Sequence, residues 1–452
     1  MDRRAVNPAD IRDPPLGNGL RAFLGHLNVS NSARCLTVVA ALILVLVTLQ
    51  PFPDLSSADV MGFASERTAM TYLCFGALAA IAGLLSASQD APALKTLLTP
   101  LHLCFIGWMA LNIVFSENPG ISLQRFALTV SVASLAIMMP LLPPTLKDFS
   151  RCFGVAAIVL LALCYLGILI APQVSIHSSA DIAEPFLAGD WRGTFSHKNI
   201  AAPVMTILVY LGVYLASTGA VLAGPAILVL AGIFLGFTEG KTSTALCLVV
   251  YALASLVCAT RSLWLKRAIC YVPLLMANML TLGSVVSEGL ANLTQQLPVD
   301  PTFTGRTDIW EFALAAVREK PILGHGYAAF WDGVTSRQTF SGAEWAVSAA
   351  HSHNSYLDLA VTIGLPGLLL CILVFALAPL RNFQAIQAHG RNRPLAKFFL
   401  TVWLFGLYYG TTETFLLDRQ NPTWFMFVVA VAGLHFLARF PLREETGTMS
   451  GN

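Results

Sequence analysis

Charged side chains are scarce in this chain. Asp, Glu, Lys and Arg together make up 12% of its 452 residues, whereas a soluble globular protein carries roughly 25%. Apolar residues make up 56% of the chain. So few polar groups cannot cover a water-facing surface of this size, and the composition therefore predicts that lipid is the main solvent.

The chain also lacks features that would indicate other classes of protein. Its 27 basic residues nearly balance its 25 acidic ones, which does not indicate a nucleic-acid partner. Residues 1–34 are polar and contain five arginines, unlike a secretory signal peptide. All nine cysteines lie in apolar segments or at their ends, so we expect no disulfide framework.

The chain does contain a series of long apolar segments. A membrane-spanning helix needs about 20 apolar residues, and the segments are continuous, whereas barrel strands would alternate. We therefore predict an all-α polytopic integral membrane protein with about 12 transmembrane helices. Their predicted positions are 35–50, 69–88, 97–115, 126–142, 152–171, 199–217, 220–237, 244–260, 268–287, 356–379, 396–411 and 423–439.

Basic residues set the predicted orientation. With the first residue inside, the cytoplasmic segments hold 17 Lys and Arg and the outer loops hold 10, which agrees with the positive-inside rule. The predicted organisation is a cytoplasmic tail over 1–34, transmembrane helices 1–9 over 35–287, a long outer loop over 288–355, transmembrane helices 10–12 over 356–439, and a cytoplasmic tail over 440–452.

Polar residues gather on the predicted outer side, in the segments 190–199, 238–243, 305–311 and 351–354. Five of the nine histidines also lie there: His177, His197, His325, His351 and His353. Histidine is the side chain best suited to proton transfer near neutral pH. The working surface is therefore expected outside the membrane.

The segment that follows Arg306 predicts an amphipathic helix. Apolar residues recur at helical spacing over 309–317. Asp308 is a plausible N-cap, with Glu311 three residues later, and Pro321 follows the end. We expect this helix on the outer membrane surface or across the mouth of the bundle. Arg306 then lies near a helix N-terminus, where an anion is favoured; the alternative is contact with lipid phosphates.

Lys241 lies in an outer turn, against the positive-inside bias, and hydroxyl residues 242–244 follow it. A cation among hydroxyls at a helix start can hold a phosphate or pyrophosphate. The alternative is an ion pair with Glu239. Arg192 and Lys198 add two outer cations, for which the alternative is snorkelling to the membrane interface.

His351 and His353 flank one serine, and alternate histidines can share a metal ion. No cysteine or obvious carboxylate lies close to them in the sequence, so we do not expect a metal. The remaining interpretations are a structural role for one of the histidines and, favoured, a general base.

Four of these segments, taken in order, resemble the O-antigen ligase and Wzy-type polysaccharide polymerase superfamily (Wzy_C-like). His353-Asn354 is followed by nine residues and then by the Gly-x-x-Gly of 364–367. The block over 305–326 resembles the family's Gly-Arg…Trp…Pro…Gly-x-Gly pattern. The segments 193–199 and 240–243 are similar to the exopolysaccharide-polymerase (ExoQ-like) branch, although the ligases typically carry Arg at the position of Lys241.

The resemblance implies a GT-C-like, inverting, metal-independent glycosyltransferase without a cofactor. It would work at the periplasmic face of the bacterial inner membrane and polymerise undecaprenyl-pyrophosphate-linked oligosaccharide repeat units into an exopolysaccharide or O-antigen-type polymer. The implied partners are the lipid-linked oligosaccharide donor, a glycan acceptor and membrane lipid. Export or chain-length-control proteins are possible further partners. The implied roles are a general base for His353, acceptor binding or orientation for His351 and Asn354, and pyrophosphate binding for Arg306, Lys241 and Arg192.

Two other functions stay open at this stage. An O-antigen ligase would carry out the same chemistry but transfer the polymer to a lipid A core. A flippase for lipid-linked oligosaccharide should place charged groups near the bilayer midplane, yet the centres of the predicted spans are nearly free of charge.

Overall fold

A computed structural model describes residues 30–56, 69–182, 184–296, 303, 305–331 and 351–440. Within these residues the secondary structure is helical, and the only β pairing is a single bridge between Ile176 and Trp191. The fold is therefore all-α, as predicted.

Fourteen helices cover most of the described residues. They are α1 (Asn31–Val47), α2 (Ala69–Lys95), α3 (Pro100–Val114), α4 (Pro119–Met138), α5 (Leu146–Ile170), α6 (Lys198–Ser217), α7 (Ala223–Phe237), α8 (Lys241–Ala259), α9 (Leu263–Val286), α10 (Glu288–Gln295), α11 (Arg306–Glu319), α12 (Ser355–His389), α13 (Arg393–Tyr409) and α14 (Pro422–Leu437).

Each of the twelve predicted spans falls on one of these helices. Seven helices are long and apolar enough to cross a membrane individually: α2, α4, α5, α6, α8, α9 and α12. Four shorter ones, α1, α3, α7 and α14, are also apolar. The polytopic membrane class is thus confirmed, while the count of twelve spans stays a prediction.

Burial separates a protein core from a lipid-facing rim. Along α13 and α14 almost every residue is buried, aromatic side chains such as Trp403 and Trp424 included. By contrast, α2 and α9 expose large apolar side chains, for example Leu73 and Leu275, which are 66% and 61% exposed. An apolar side chain that is exposed on such a helix faces hydrocarbon, so its exposure carries no hydrophobic penalty.

Helix α11 confirms the predicted amphipathic helix. Its apolar face, which includes Trp310 and Phe312, packs on Leu357 and Val361 of α12. The helix is therefore held against the bundle by α12. Asp308 is not the N-cap, as the sequence had suggested; the cap is Gly305, which has a φ of 79°. Glycine adopts this left-handed conformation at no steric cost, so the helix starts earlier and Arg306 is its first residue.

Helix α12 contains a break that explains part of the Gly-x-x-Gly pattern. Gly364 has a φ of 71° and a ψ of 172°, which no helical residue adopts. The break frees the carbonyls of Val361 and Thr362, which accept hydrogen bonds from the backbone N–H of His325 (2.9 Å) and Gly326 (3.0 Å). The loop after α11 is thereby joined to α12 by its backbone.

Replacement of Gly364 by Ala is expected to destabilise the protein. A Cβ at this position would lie 1.9 Å from the carbonyl oxygen of Ile322, and the left-handed backbone adds strain, so we expect a loss on the order of 2–4 kcal/mol. Thermal unfolding of the detergent-solubilised protein measures it. Gly232→Ala is the matched control, because nothing lies within 4 Å of its Cβ position. Equal stability of the two variants would contradict the assigned role of Gly364.

Candidate active site

The segment 351–354 forms the turn that begins α12, and Asn354 is its N-cap. The side-chain oxygen of Asn354 accepts hydrogen bonds from the backbone N–H of Tyr356 and Leu357, both at 3.0 Å. Its side-chain N–H donates to the carbonyl of Thr411 at 3.0 Å. An asparagine at this position therefore caps one helix and also ties it to the loop that follows α13.

Two further contacts fix the turn. The indole N–H of Trp310 in α11 donates to the carbonyl of Ser352 at 3.0 Å, and the hydroxyl of Ser355 donates to the carbonyl of Glu413 at 2.8 Å. The ends of α11, α12 and α13 consequently meet at one place. His353 lies there with a φ of 53°, a conformation rare for residues other than glycine that is held here by its neighbours.

Glu413 joins the two predicted functional residues of this site. One carboxylate oxygen lies 2.7 Å from the Nη2 atom of Arg306, and the other lies 3.0 Å from Nδ1 of His353. The second guanidinium nitrogen of Arg306 donates to the carbonyl of Thr412. The side chains of Arg306, His353 and Glu413 are 20%, 28% and 12% exposed, so the trio is mostly shielded from water but reachable.

The electrostatics of this trio set the proton positions. Burial raises the pKa of Glu413, but the hydrogen bond from His353 and the charge of Arg306 outweigh it and lower this pKa to about 2. The carboxylate is therefore ionised at neutral pH and accepts the Nδ1 proton of His353. A neutral His353 then has its lone pair on Nε2. Within the described residues, Nε2 has no hydrogen-bond partner.

His351 stands next to His353, with ring centroids 4.1 Å apart. Burial lowers the pKa of His351 to about 4, and the charge of His353 acts in the same direction. Its Nδ1 accepts the backbone N–H of His353 at 3.3 Å. His351 is therefore neutral at pH 7, and with Nδ1 as an acceptor it carries its proton on Nε2, where it can donate a hydrogen bond.

Lys241 is the first residue of α8 and is exposed. The next turn packs on α6, since the hydroxyl of Thr206 donates to the carbonyl of Ser243. At the start of α6, the carbonyl of Asn199 accepts a hydrogen bond from the hydroxyl of Tyr409 at the end of α13. These contacts place Lys241 at the same end of the bundle as the trio. Among the described residues it contacts none of the three and forms no ion pair with Glu239.

Arg192 and Lys198 occupy different environments from those predicted. The side chain of Arg192 is fully buried and donates to the carbonyls of Pro53 (2.8 Å) and Phe195 (3.1 Å). Lys198 forms an ion pair with Asp190 at 2.5 Å. Both cations therefore fasten the outer loop that precedes α6, and Arg192 offers no exposed surface to a ligand.

The sequence did not identify Glu413 as a site residue. It is the only acidic residue between 359 and 417, and it lies in the predicted outer loop between the eleventh and twelfth predicted spans. That isolation could have drawn attention to it. However, its partners Arg306 and His353 are 107 and 60 positions away in the sequence.

Comparisons with known proteins confirm the resemblance stated above. Residues 206–372 match the sequence model of the O-antigen ligase family. The chain is 28% identical to the exopolysaccharide production protein ExoQ of Rhizobium meliloti over 155 residues, which is 32% of this chain and 33% of that protein. It is 32% identical to the O-antigen ligase of Pseudomonas aeruginosa over 133 residues, 29% of this chain and 30% of that enzyme. The matched segments thus span about a third of these relatives.

The low pKa of Glu413 makes a prediction about acid stability. A carboxyl whose pKa falls from its ordinary 4.5 to about 2 on folding stabilises the protein above pH 4.5, and this contribution is lost as the pH falls towards 2. We expect a contribution on the order of 2–3 kcal/mol. Thermal unfolding between pH 7 and pH 3 should show Glu413→Gln with a weaker acid dependence than the unsubstituted protein.

Glu239→Gln is the control, because it removes the same charge from an exposed outer side chain. It should keep the acid dependence of the unsubstituted protein. If Glu413→Gln also kept it, the ionised carboxylate would not be a stabilising element of the fold.

Proposed function

We propose that this multi-pass membrane protein, whose central region matches the O-antigen ligase family, is an inverting glycosyltransferase. It would transfer a glycan from an undecaprenyl-pyrophosphate carrier to a sugar hydroxyl at the outer face of the bacterial inner membrane. The observation that carries the proposal is the position of Glu413 between Arg306 and His353. One carboxylate thereby fixes a base and a cation beside each other, which are the two groups that this reaction requires.

The base step follows from the proton positions. A sugar hydroxyl is a poor nucleophile when neutral, and it needs a base within hydrogen-bond reach. Nε2 of His353 takes the hydroxyl proton as the oxygen attacks the anomeric carbon of the donor. The bond from that carbon to the pyrophosphate oxygen breaks, and the pyrophosphate leaves with the bonding electrons. Glu413 is a positioning residue, which holds the His353 ring and stabilises the imidazolium that forms.

The leaving group needs positive charge, because negative charge develops on the pyrophosphate oxygen. Arg306 has five N–H donors, of which the contacts to Thr412 and Glu413 use two. The remaining donors can bind phosphate oxygens. Lys241, exposed at the same end of the bundle, is the second cation of the proposed clamp. Arg192 is not part of it, because its side chain is buried and bonded to backbone carbonyls.

An apolar cavity of about 320 Å³ supports a lipid-linked donor. It lies between α3, α4, α12 and α14, and its walls include Phe105, Phe126 and Trp424. Leu417, four residues after Glu413 in the same loop, also lines it. A polyprenyl chain in this cavity would therefore end near the trio, with its pyrophosphate at the clamp.

Two acceptors are compatible with this chemistry. We favour the growing glycan chain on a second lipid carrier, that is, a polysaccharide polymerase, since the similarity to the exopolysaccharide production protein covers 155 residues. The second candidate is an O-antigen ligase with a lipid A core as acceptor, which the similarity to the Pseudomonas aeruginosa enzyme supports. Each similarity covers only about a third of the relative, so the two similarities do not separate these acceptors.

Replacement of His353 by Ala should abolish glycosyl transfer, because the acceptor hydroxyl loses its base. We expect a fall in rate of about 100-fold or more. The measurement uses the purified protein with lipid-linked repeat units alone and follows the product on a gel.

The same assay identifies the acceptor. A ladder formed by the unsubstituted protein without lipid A core identifies a polymerase. Product formed only when the core is added identifies a ligase.

His389→Ala is the control, since this exposed histidine lies at the opposite end of α12. It should leave the rate unchanged.

Glu413→Gln should slow the reaction and change its pH profile, and Glu413→Asp should recover part of the rate. A normal rate for His353→Ala would disprove the assignment of the base.

The clamp predicts a charge requirement at two positions. Arg306→Ala and Lys241→Ala should each lower kcat/KM for the lipid-linked donor by about 100-fold, whereas Lys241→Arg keeps the charge and should keep the activity. Arg318→Ala is the matched control, because Arg318 is exposed in the last turn of the same helix as Arg306. If Lys241→Ala turned over at the rate of the unsubstituted protein, Lys241 would not belong to the clamp.

A further inference from the structure

A second cavity lies at the end of the bundle opposite the trio. Its volume is about 560 Å³, and Arg261, Arg393, Gln384 and Gln387 are among the residues that line it. Helix α13 runs from Arg393 at this cavity to the loop that holds Glu413, which at 1.5 Å per residue is about 24 Å. The cavity is therefore separate from the candidate active site and lies on the predicted cytoplasmic side.

The two chain segments that line this cavity carry charge of one sign. These segments, 241–287 and 359–412, contain no Asp or Glu. On the predicted cytoplasmic side these segments carry seven cations: Arg261, Lys266, Arg267, Arg381, Arg391, Arg393 and Lys397. In the described structure no ion pair neutralises the two arginines that line the cavity. An anion that entered would thus meet attraction, and no carboxylate of these two segments would repel it.

The buried cation Lys266 lies next to the residues that line the cavity. Lys266 is fully buried, and its ammonium group donates to the side-chain oxygens of Gln384 and Gln387. The amide nitrogens of the same glutamines donate to the carbonyls of Arg261 and Cys258, at 3.2 and 2.7 Å. Both partners of Lys266 are neutral, so its charge is hydrogen-bonded but not cancelled. A buried cation normally has an acidic partner, and Lys266 has none among the described residues, so its charge adds to the positive potential at the cavity.

The cavity lies at the level of a membrane interface. Next to it, Trp264 and Leu265 are 77% and 52% exposed at the start of α9, and the guanidinium of Arg267 lies 4.8 Å above the Trp264 ring. An exposed tryptophan and basic residues at the cytoplasmic end of membrane helices are typical of the headgroup region. Basic pockets between helices on this side can bind anionic lipid headgroups.

We propose that this cavity is a binding site for a phosphate ester, of the kind that anionic phospholipids carry, with Arg261 and Arg393 as its direct ligands. Lys266 contributes a fixed positive charge behind the wall, and the glutamines hold that charge in place. The site is independent of glycosyl transfer, so its test needs no turnover.

The test measures lipid retention by native mass spectrometry on the full chain in a neutral detergent. The protein is titrated with dioleoyl phosphatidylglycerol and, separately, with dioleoyl phosphatidylcholine. We expect one phosphatidylglycerol to bind preferentially. The double variant Arg261→Gln/Arg393→Gln should weaken that binding about 30-fold, because each basic residue near the headgroup contributes a factor of about five.

Arg381→Gln/Arg391→Gln is the matched control, which removes two exposed cations from the same side but outside the cavity lining. It should bind phosphatidylglycerol within about threefold of the unsubstituted protein. Equal affinity for the two lipids, or unchanged binding by Arg261→Gln/Arg393→Gln, would overturn the proposal.

A competition with glycerol 3-phosphate identifies the source of the ligand. If millimolar glycerol 3-phosphate displaces the lipid from the unsubstituted protein, the site also takes soluble phosphate esters. If it does not displace the lipid, the site takes the headgroup of a membrane lipid. Both results support a phosphate-ester site.

Discussion

The candidate site depends on one buried carboxylate with two cationic or proton-donating partners. Glu413 would be costly to bury alone, because an ionised carboxylate loses its hydration in a lipid-embedded bundle. Arg306 and His353 offset that cost, and they can do so only if α11, the start of α12 and the loop after α13 meet. The same interaction thus fixes the meeting point of three helices and the proton position on His353.

Much of the surrounding sequence pattern serves this meeting point. Gly305 starts α11 so that Arg306 is its first residue, and Trp310 on the same helix holds the turn that contains His353. Asn354 caps α12 and also ties it to the loop before Glu413. Gly364 breaks α12 and thereby exposes carbonyls to the loop that follows α11. These sequence patterns therefore serve mainly to position the site residues. Few of the residues in them would contact a substrate.

The two ends of the bundle differ in how their charges are arranged. At the predicted outer end several cations are paired with acids, as in Lys198–Asp190 and Lys320–Glu117, so these charges are held in defined positions. At the other end, basic residues surround a cavity without acids. The first arrangement suits a reaction, because its groups must be oriented. The second suits retention of an anion, because attraction alone is enough.

The sequence by itself determined the membrane class and the helical segments, and it singled out Arg306 and His353 as candidate site residues. These follow from composition, from continuous apolar runs and from short-range spacing, all of which are local properties. Only the tertiary structure brought Glu413 to these residues, buried Arg192 against backbone carbonyls and left Lys241 exposed. It also assembled the basic cavity from two segments about a hundred residues apart. Such contacts depend on how the helices pack. The sequence could not predict them, because residues that are distant in the chain and meet only in the fold leave no periodic pattern.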